Sequence, residues 1–225
     1  MEKQPEKIIT FKAIWPGLLF ILALNLGYIF GREALRGLIL SQGYIWMALF
    51  LAFPLAYIIA RRASLRELGY RGADPFRLYA RGVAAGVLWR FFDLLAGYYG
   101  LFNFLERKGE PSSQAMLTVA PCLSLLFSDL FLTPLLEDTF FRGFLQPGLE
   151  ERCGPLLAIV VQAVLFSTHP YHVVQSPDNL PRIFLFGLIA GLLYWRTRSL
   201  IPIFGAHGWA NLLPKIIRAI AGAVY

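Results

Sequence analysis

Ala13–Phe30 carries no charged side chain, and a run of this length and apolarity is what a helix needs to cross a bilayer. Roughly 20 apolar residues at 1.5 Å each cover the ~30 Å hydrocarbon core. The feature recurs. A second uncharged run follows Arg36 and ends before Arg61, and a third, Val83–Phe104, is interrupted only by Arg90 and Asp93. Ala115–Leu145 is too long for one straight span and contains Pro121 and Pro134; it predicts a helix that begins near Pro121, kinks at Pro134 and stops at Pro147-Gly148. Shorter apolar segments follow at Pro155–Thr168, Ile183–Trp195 and Leu200–Leu213. The expected fold class is all-α, a polytopic transmembrane helix bundle of about seven or eight helices. It forms one membrane domain over 1–225 with no soluble module.

Composition agrees: 57% of residues are hydrophobic and 16% charged, where soluble domains carry about a quarter charged. The net charge of +7 does not indicate a nucleic-acid partner, because most basic residues lie between the apolar runs, where they set topology. With the N-terminus inside, the inner segments hold Lys3, Lys7, Lys12, the loop arginines Arg61, Arg62, Arg66, Arg71, Arg77 and Arg81, and Arg142, Arg152, Arg196 and Arg198. The outer side holds Arg32, Arg36, Arg107, Lys108, Arg182, Lys215 and Arg218. This bias predicts a cytoplasmic N-terminus in a cell (inner) membrane. A cleavable signal peptide is not expected, since Ala13–Phe30 is too long and lacks a small-residue cleavage site. Cys122 and Cys153 form no disulfide framework and no metal-ligand spacing, and read as apolar space-fillers.

Charged groups within lipid cost a few kcal/mol each, so those present carry information. Three clusters stand out. The first is Glu137-Asp138-Thr139-Phe140-Phe141-Arg142, where Asp138 and Arg142 are four apart and can pair on one helix face. Glu137 lies about 100° around the helix from Asp138 and is free to face a cavity as a general base. The same charges also fit a helix end anchored at the membrane surface. The second cluster, Phe166-Ser167-Thr168-His169-Pro170-Tyr171-His172, holds two of the three histidines. The third, His207-Gly208-Trp209-Ala210-Asn211, places His207 and Asn211 on one face at i and i+4. Gly205, Ala206, Gly208 and Ala210 there allow close helix approach, so interhelical hydrogen bonding is the plainer alternative.

Together the clusters offer a carboxylate, two imidazoles and an amide on three apolar segments, the parts needed for peptide hydrolysis. For that reaction Glu137 would activate a water, His169 would orient that water or the substrate, and His207 and Asn211 would stabilise the oxyanion. A zinc ion held by Glu137, His169 and His207 is the alternative, though no HExxH motif is present.

These motifs resemble the CPBP family, the CAAX proteases and bacteriocin-processing enzymes, which includes the CAAX prenyl endopeptidase. The family shows Glu-Glu-x-x-x-Arg, then Phe-x-x-x-His, then His-x-x-x-Asn or Asp, on separate transmembrane helices. Here the first is Glu137-Asp138…Arg142 followed by Gly143, and the third is His207…Asn211; Phe186–Leu200 resembles the family's glycine-containing helix and basic turn. The resemblance spans roughly Thr118–Leu213 and makes 115–215 the catalytic core, after N-terminal helices and a basic cytoplasmic loop in 1–114. It implies an intramembrane endopeptidase with a conical polar cavity, acting on a membrane-associated or lipidated peptide. Glu137, His169, His207 and Asn211 are implied as catalytic, and Asp138 and Arg142 as supporting.

There are two departures. Asp138 replaces the second glutamate, and the position four before His169 is Leu165, with Phe166 adjacent. His169 is preferred over His172 because Pro170 ends the helix first. Catalysis also requires Glu137 and His169 at equal depth, which is met if the helix of Glu137 starts late and runs on to Gln146. The competing functions are a catalytically silent membrane regulator or immunity protein, and a small transporter using Arg90, Asp93, Asp129 and the Glu137 cluster as an ion path. Zinc is the only cofactor considered; the partners are the bilayer and the peptide substrate.

Overall fold

The computed structural model describes residues 9–31, 43–98, 126–175 and 179–224. Among them every regular element is helical. In chain order these are α1 (Phe11–Phe30), α2 (Gly43–Arg61), a 3₁₀ turn at Leu65–Leu68 and α3 (Pro75–Tyr98). Residues 126–153 then wind continuously as α4. Within α4, the α-helical stretches Thr133–Asp138 and Gln146–Cys153 alternate with π-helical Ser128–Leu132 and Thr139–Leu145. The remainder are α5 (Pro155–Thr168), α6 (Pro170–Gln175), α7 (Leu180–Thr197) and α8 (Ile201–Val224). The loop Glu106–Ser113, the helix start near Pro121, the end of the third run at Phe104 and Cys122 lie outside the described residues.

One expectation needs correction. Helix α4 does not stop at Pro147-Gly148 but runs on to Cys153, where Gly154 ends it at φ +78°. A proline inside an α-helix leaves the carbonyl four residues back without its donor. Pro147 avoids the penalty by following a π-helical stretch, in which the Gln146 N–H already bonds five residues back to Phe141 O. Pro134 stands in the same position after Ser128–Leu132. Each proline thus opens a fresh α-helical turn, where no N–H is required of it.

The longer α4 removes the depth difficulty. Glu137 lies 17 residues before Gly154 and His169 15 after it, so each sits about 20–25 Å along its helix from the shared turn. The helix runs on as anticipated, by two turns more. That extension also places Arg142 inside the bundle and wholly buried, and Arg182 is buried on α7; neither is a loop charge of the topological count.

Close backbone approach fixes the bundle. A Cβ on Gly82 of α3 would lie 1.9 Å from the Pro202 carbonyl oxygen of α8, and one on Gly86 would lie 2.4 Å from that of Ala206. On α7, Gly187 meets Ala163 of α5, and Gly191 faces the Gln162 amide. The Gln162 side chain donates to Gly187 O at 2.9 Å, and Gln146 of α4 donates to Gly191 O at 3.0 Å. The glycines of α7 therefore let two buried amides clamp three helices together. Leu200 N–H donates to Gly69 O at 2.8 Å, tying the turn after α2 to the start of α8.

Apolar and charged residues are distributed inside out. Leu26, Ile29, Phe30, Ile59, Leu88, Phe91, Leu156 and Leu157 point outward, while Arg90, Asp93, Glu137, Asp138, Arg142 and Arg182 are buried. Asp93 takes Arg90 at 2.5 Å and Arg182 at 3.2 Å, and Arg90 Nε also donates to Ala210 O, so the Arg90–Asp93 pair expected from sequence joins α3, α7 and α8. Helix α1 is long and apolar enough to cross a membrane; Met47–Arg61 and Pro155–Thr168 are shorter apolar helices.

The α3–α8 contact generates a test. Gly82→Val forces Cβ into backbone that cannot yield, and is expected to cost about 1–3 kcal/mol. Ala84→Val, on the outer face of α3, should change stability by less than about 0.5 kcal/mol. Thermal unfolding of both variants in detergent checks the difference.

Candidate active site

Three helices and one helix end converge on Glu137. Helix α4 supplies Glu137, Asp138 and Arg142, each with no measurable exposure. His169 caps α5, and α8 supplies His207. The residue before a proline is driven out of the helical region, and His169 before Pro170 sits at ψ 148°. Its imidazole is buried and stacks on Phe141 at 5.7 Å, with the Phe50 ring edge-on at 5.5 Å.

Both Glu137 carboxylate oxygens are buried without a hydrogen-bond partner among the described residues. His169 Nε2 stands 3.6 Å from Oε1, and His207 Nε2 stands 3.7 Å from Oε2. These separations are too long for hydrogen bonds. A buried carboxylate without donors is costly, so the arrangement suits a small polar group received between the imidazoles.

Asp138 is held from two sides. Arg142 Nη1 donates to its Oδ1 at 2.8 Å, the i, i+4 pair anticipated from the sequence. His207 Nδ1 is 2.8 Å from its Oδ2, a contact the spacing alone does not reveal. An ionised carboxylate only accepts, so the Nδ1–H of His207 donates and its Nε2 is turned toward Glu137. Arg142 also lies 3.9 Å over the Phe166 ring. The same ring meets His207 edge-on at 5.9 Å and His172 at 4.8 Å. Phe166, three residues before His169, thus provides the apolar wall, while Leu165 packs into the core.

His169, preferred from the sequence, is the nearer of the two histidines to Glu137, and His172 lies beside it. Pro170 ends α5 but also opens α6, and the chain turns back within one helical turn. His172 Nδ1 pairs with Phe166 O at 2.8 Å, and its Nε2 comes to 3.9 Å from Glu137 Oε1. Proximity of two histidines in one short motif was the available signal. Asn211, one turn beyond His207 on α8, is half-buried and makes no hydrogen bond to this group among the described residues. The compact donor set is Glu137, His169 and His172, whose ligand atoms lie within 4.8 Å of one another; His207 stands across the other carboxylate oxygen.

The remaining buried acids are answered by cations. Asp129 pairs with Lys215 at 2.8 Å and Asp93 with two arginines. Near the site but in the connecting loop, Tyr70 meets Thr139 Oγ1 at 2.6 Å, and Thr139 donates to Leu135 O. Burial pushes the Tyr70 phenol above its ordinary value, against the hydrogen bond it shares with Thr139, which lowers it. The phenol stays a neutral donor and pins the loop to the π-helical turn after Glu137.

Residues 118–213 match the family model described as type II CAAX prenyl endopeptidase Rce1-like. No curated protein and no solved structure matches the chain.

The buried pair sets up a stability test with its own control. Arg142→Met leaves the buried Glu137–Asp138–His207 cluster with one negative charge in excess and is expected to cost about 3–5 kcal/mol. Removing both charges, as Asp138→Leu with Arg142→Met, should recover a substantial part of that loss. Denaturation of the single and double variants in detergent decides it; a double variant no better than the single contradicts the electrostatic account.

Proposed function

We propose, on the premise that residues 118–213 belong to the Rce1-like type II CAAX prenyl endopeptidase family, that this chain is an intramembrane endopeptidase. It hydrolyses a peptide bond in a membrane-associated or lipidated peptide. One observation carries the reading: Glu137 is a wholly buried carboxylate whose oxygens accept no hydrogen bond from the described residues and are flanked by His169 and His207. Structural carboxylates elsewhere in the bundle are paired; this one is kept open. The multi-pass placement is supported by the outward apolar faces of α1, α2, α3 and α5 around buried charge. The arginines Arg61, Arg62, Arg66, Arg77 and Arg81, from the end of α2 to the first turns of α3, are all exposed and suit the cytoplasmic headgroups.

In the proposed reaction Glu137 takes a proton from a water whose oxygen attacks the scissile carbonyl carbon. The carbonyl π electrons move to oxygen, and His207 donates to that oxyanion from Nε2. In this role His207 is an imidazolium, bonded through Nδ1 to Asp138. The cluster of Glu137, Asp138, Arg142 and imidazolium is then electrically neutral, as a group sunk in lipid should be. Asn211 supplies a second donor once the substrate carbonyl enters. Collapse of the tetrahedral adduct breaks the C–N bond, and the proton held by Glu137 passes to the leaving amine. His169 orients the water from the opposite side of Glu137.

Zinc fits the same donors chemically. Glu137 and His169 Nε2 are buried without partners, and oxygen plus imidazole nitrogen is a zinc ligand set. When bound, the ion would supply Lewis-acid polarisation of the carbonyl.

Glu137→Gln keeps the volume and removes the base. Cleavage of a membrane-embedded reporter peptide is expected to fall by about 10²–10⁴-fold with no loss of folded protein. Wild-type turnover in this variant would sink the assignment.

A further inference from the structure

We propose that His172, together with Glu137 and His169, forms a two-imidazole, one-carboxylate site for a divalent transition-metal ion, with His207 outside the ligand set. The inference rests on the reading of the Glu137 cavity as the chemical centre, and it names the ion's ligands. The donor atoms all lie within 4.8 Å of one another, with Glu137 Oε1 at 3.6 Å from His169 Nε2 and 3.9 Å from His172 Nε2. Ligand bonds of about 2.0–2.1 Å in a tetrahedral zinc site separate donors by about 3.3 Å. Small side-chain rotations close the remaining gap.

Three further observations favour an ion here. First, the donor atoms converge on one point. Glu137 Oε1 and His169 Nε2 are buried and unpartnered, and the two imidazole rings are only 4.1 Å apart. A cation placed between a buried carboxylate oxygen and two imidazole nitrogens bonds to all three at once and offsets the cost of their burial. Second, the outer contact that metal-binding histidines use is already present. With its Nδ1 against the Phe166 carbonyl at 2.8 Å, His172 is held in the tautomer that carries its proton there and leaves the Nε2 lone pair turned toward Glu137. Third, His207 is committed elsewhere, its Nδ1 on Asp138 and its Nε2 facing the other carboxylate oxygen. The helix break at Pro170 is what makes the site, because it returns His172 to the cavity within one turn of His169.

Metal content and cleavage can be read separately. Full-length protein in detergent is loaded with Co(II) or Zn(II), dialysed, and measured for bound metal and for the visible absorption of low-coordinate Co(II). One equivalent is expected. His172→Gln should weaken binding by about tenfold or more, since even outer-contact losses cost metal sites 10–100-fold. His169→Gln should do the same, and His207→Gln should leave stoichiometry unchanged. An ion-induced rise in melting temperature, present in wild type and absent in His172→Gln, guards against a merely misfolded variant. Binding that ignores His172→Gln, or that is lost only with His207→Gln, overturns the proposal, as does protein that takes up no ion. Protein that takes up no ion yet cleaves, with that cleavage abolished by Glu137→Gln, would leave the protease reading standing while the ion site falls.

Discussion

The site depends on one buried contact, the Arg142–Asp138 ion pair. Its partners lie one turn apart on α4 and have no exposed side chain. Neither charge could remain in the bundle alone, since each would lack a counter-ion in a medium that stabilises charge poorly. Once paired, they orient everything else. The second Asp138 oxygen fixes His207, and the Arg142 guanidinium lies over the Phe166 ring, whose edges meet His169 and His172. A contact local in sequence therefore organises residues on three other segments. The shorter aspartate suffices because Arg142 is close enough to reach it at 2.8 Å.

A second constraint is depth. A helix hairpin brings two side chains level only if they lie equally far from the turn, and here the turn is at Gly154, the position with φ +78° and no heavy atom near its missing Cβ. The π-helical Thr139–Leu145 does two jobs in this arrangement. It absorbs Pro147, allowing α4 to continue, and it carries Gly143, whose missing side chain admits the Leu68 carbonyl of the 3₁₀ turn. Widened helical turns recur where a site needs a side chain re-aimed, and this one follows Glu137 by two residues.

Much of this was legible in the sequence, and the failures have physical causes. Helix α5 falls where the apolar run Pro155–Thr168 places it, because proline opens it and Pro170 closes it. Gly187 and Gly191 do mark close packing, against α5. The i, i+4 rule found Asp138–Arg142, but no local rule reports which residue of α8 reaches the same carboxylate. The stop at Pro147 failed because the proline rule assumes α-helical hydrogen bonding on its N-terminal side. Arg142 and Arg182 were misplaced as loop charges for a related reason: charge counting cannot distinguish a loop arginine from one whose acid lies on the same or another helix. Preferring His169 over His172 follows from the helix end at Pro170, but a proline also starts the next turn, and that turn brings His172 beside His169.

Hydrogen-bond and ion-pair satisfaction then separates the buried charges by purpose. Asp93 receives two guanidinium groups and Asp129 receives the Lys215 ammonium. Glu150 receives Arg198 at 2.6 Å and the Gln146 amide at 3.0 Å. These acids join helices, and an ion path would need at least some of them without fixed partners. Glu137 is different in kind. Its neighbour Asp138 takes the nearest arginine, so the bundle holds a cation one turn away and still does not pair it with Glu137. Evolving such a bundle without use for the open carboxylate would sacrifice stability for nothing, since a leucine at 137 would be buried there with no desolvation cost. The open valence of Glu137, more than the presence of any motif residue, is therefore the reason to regard this cavity as a place where chemistry occurs.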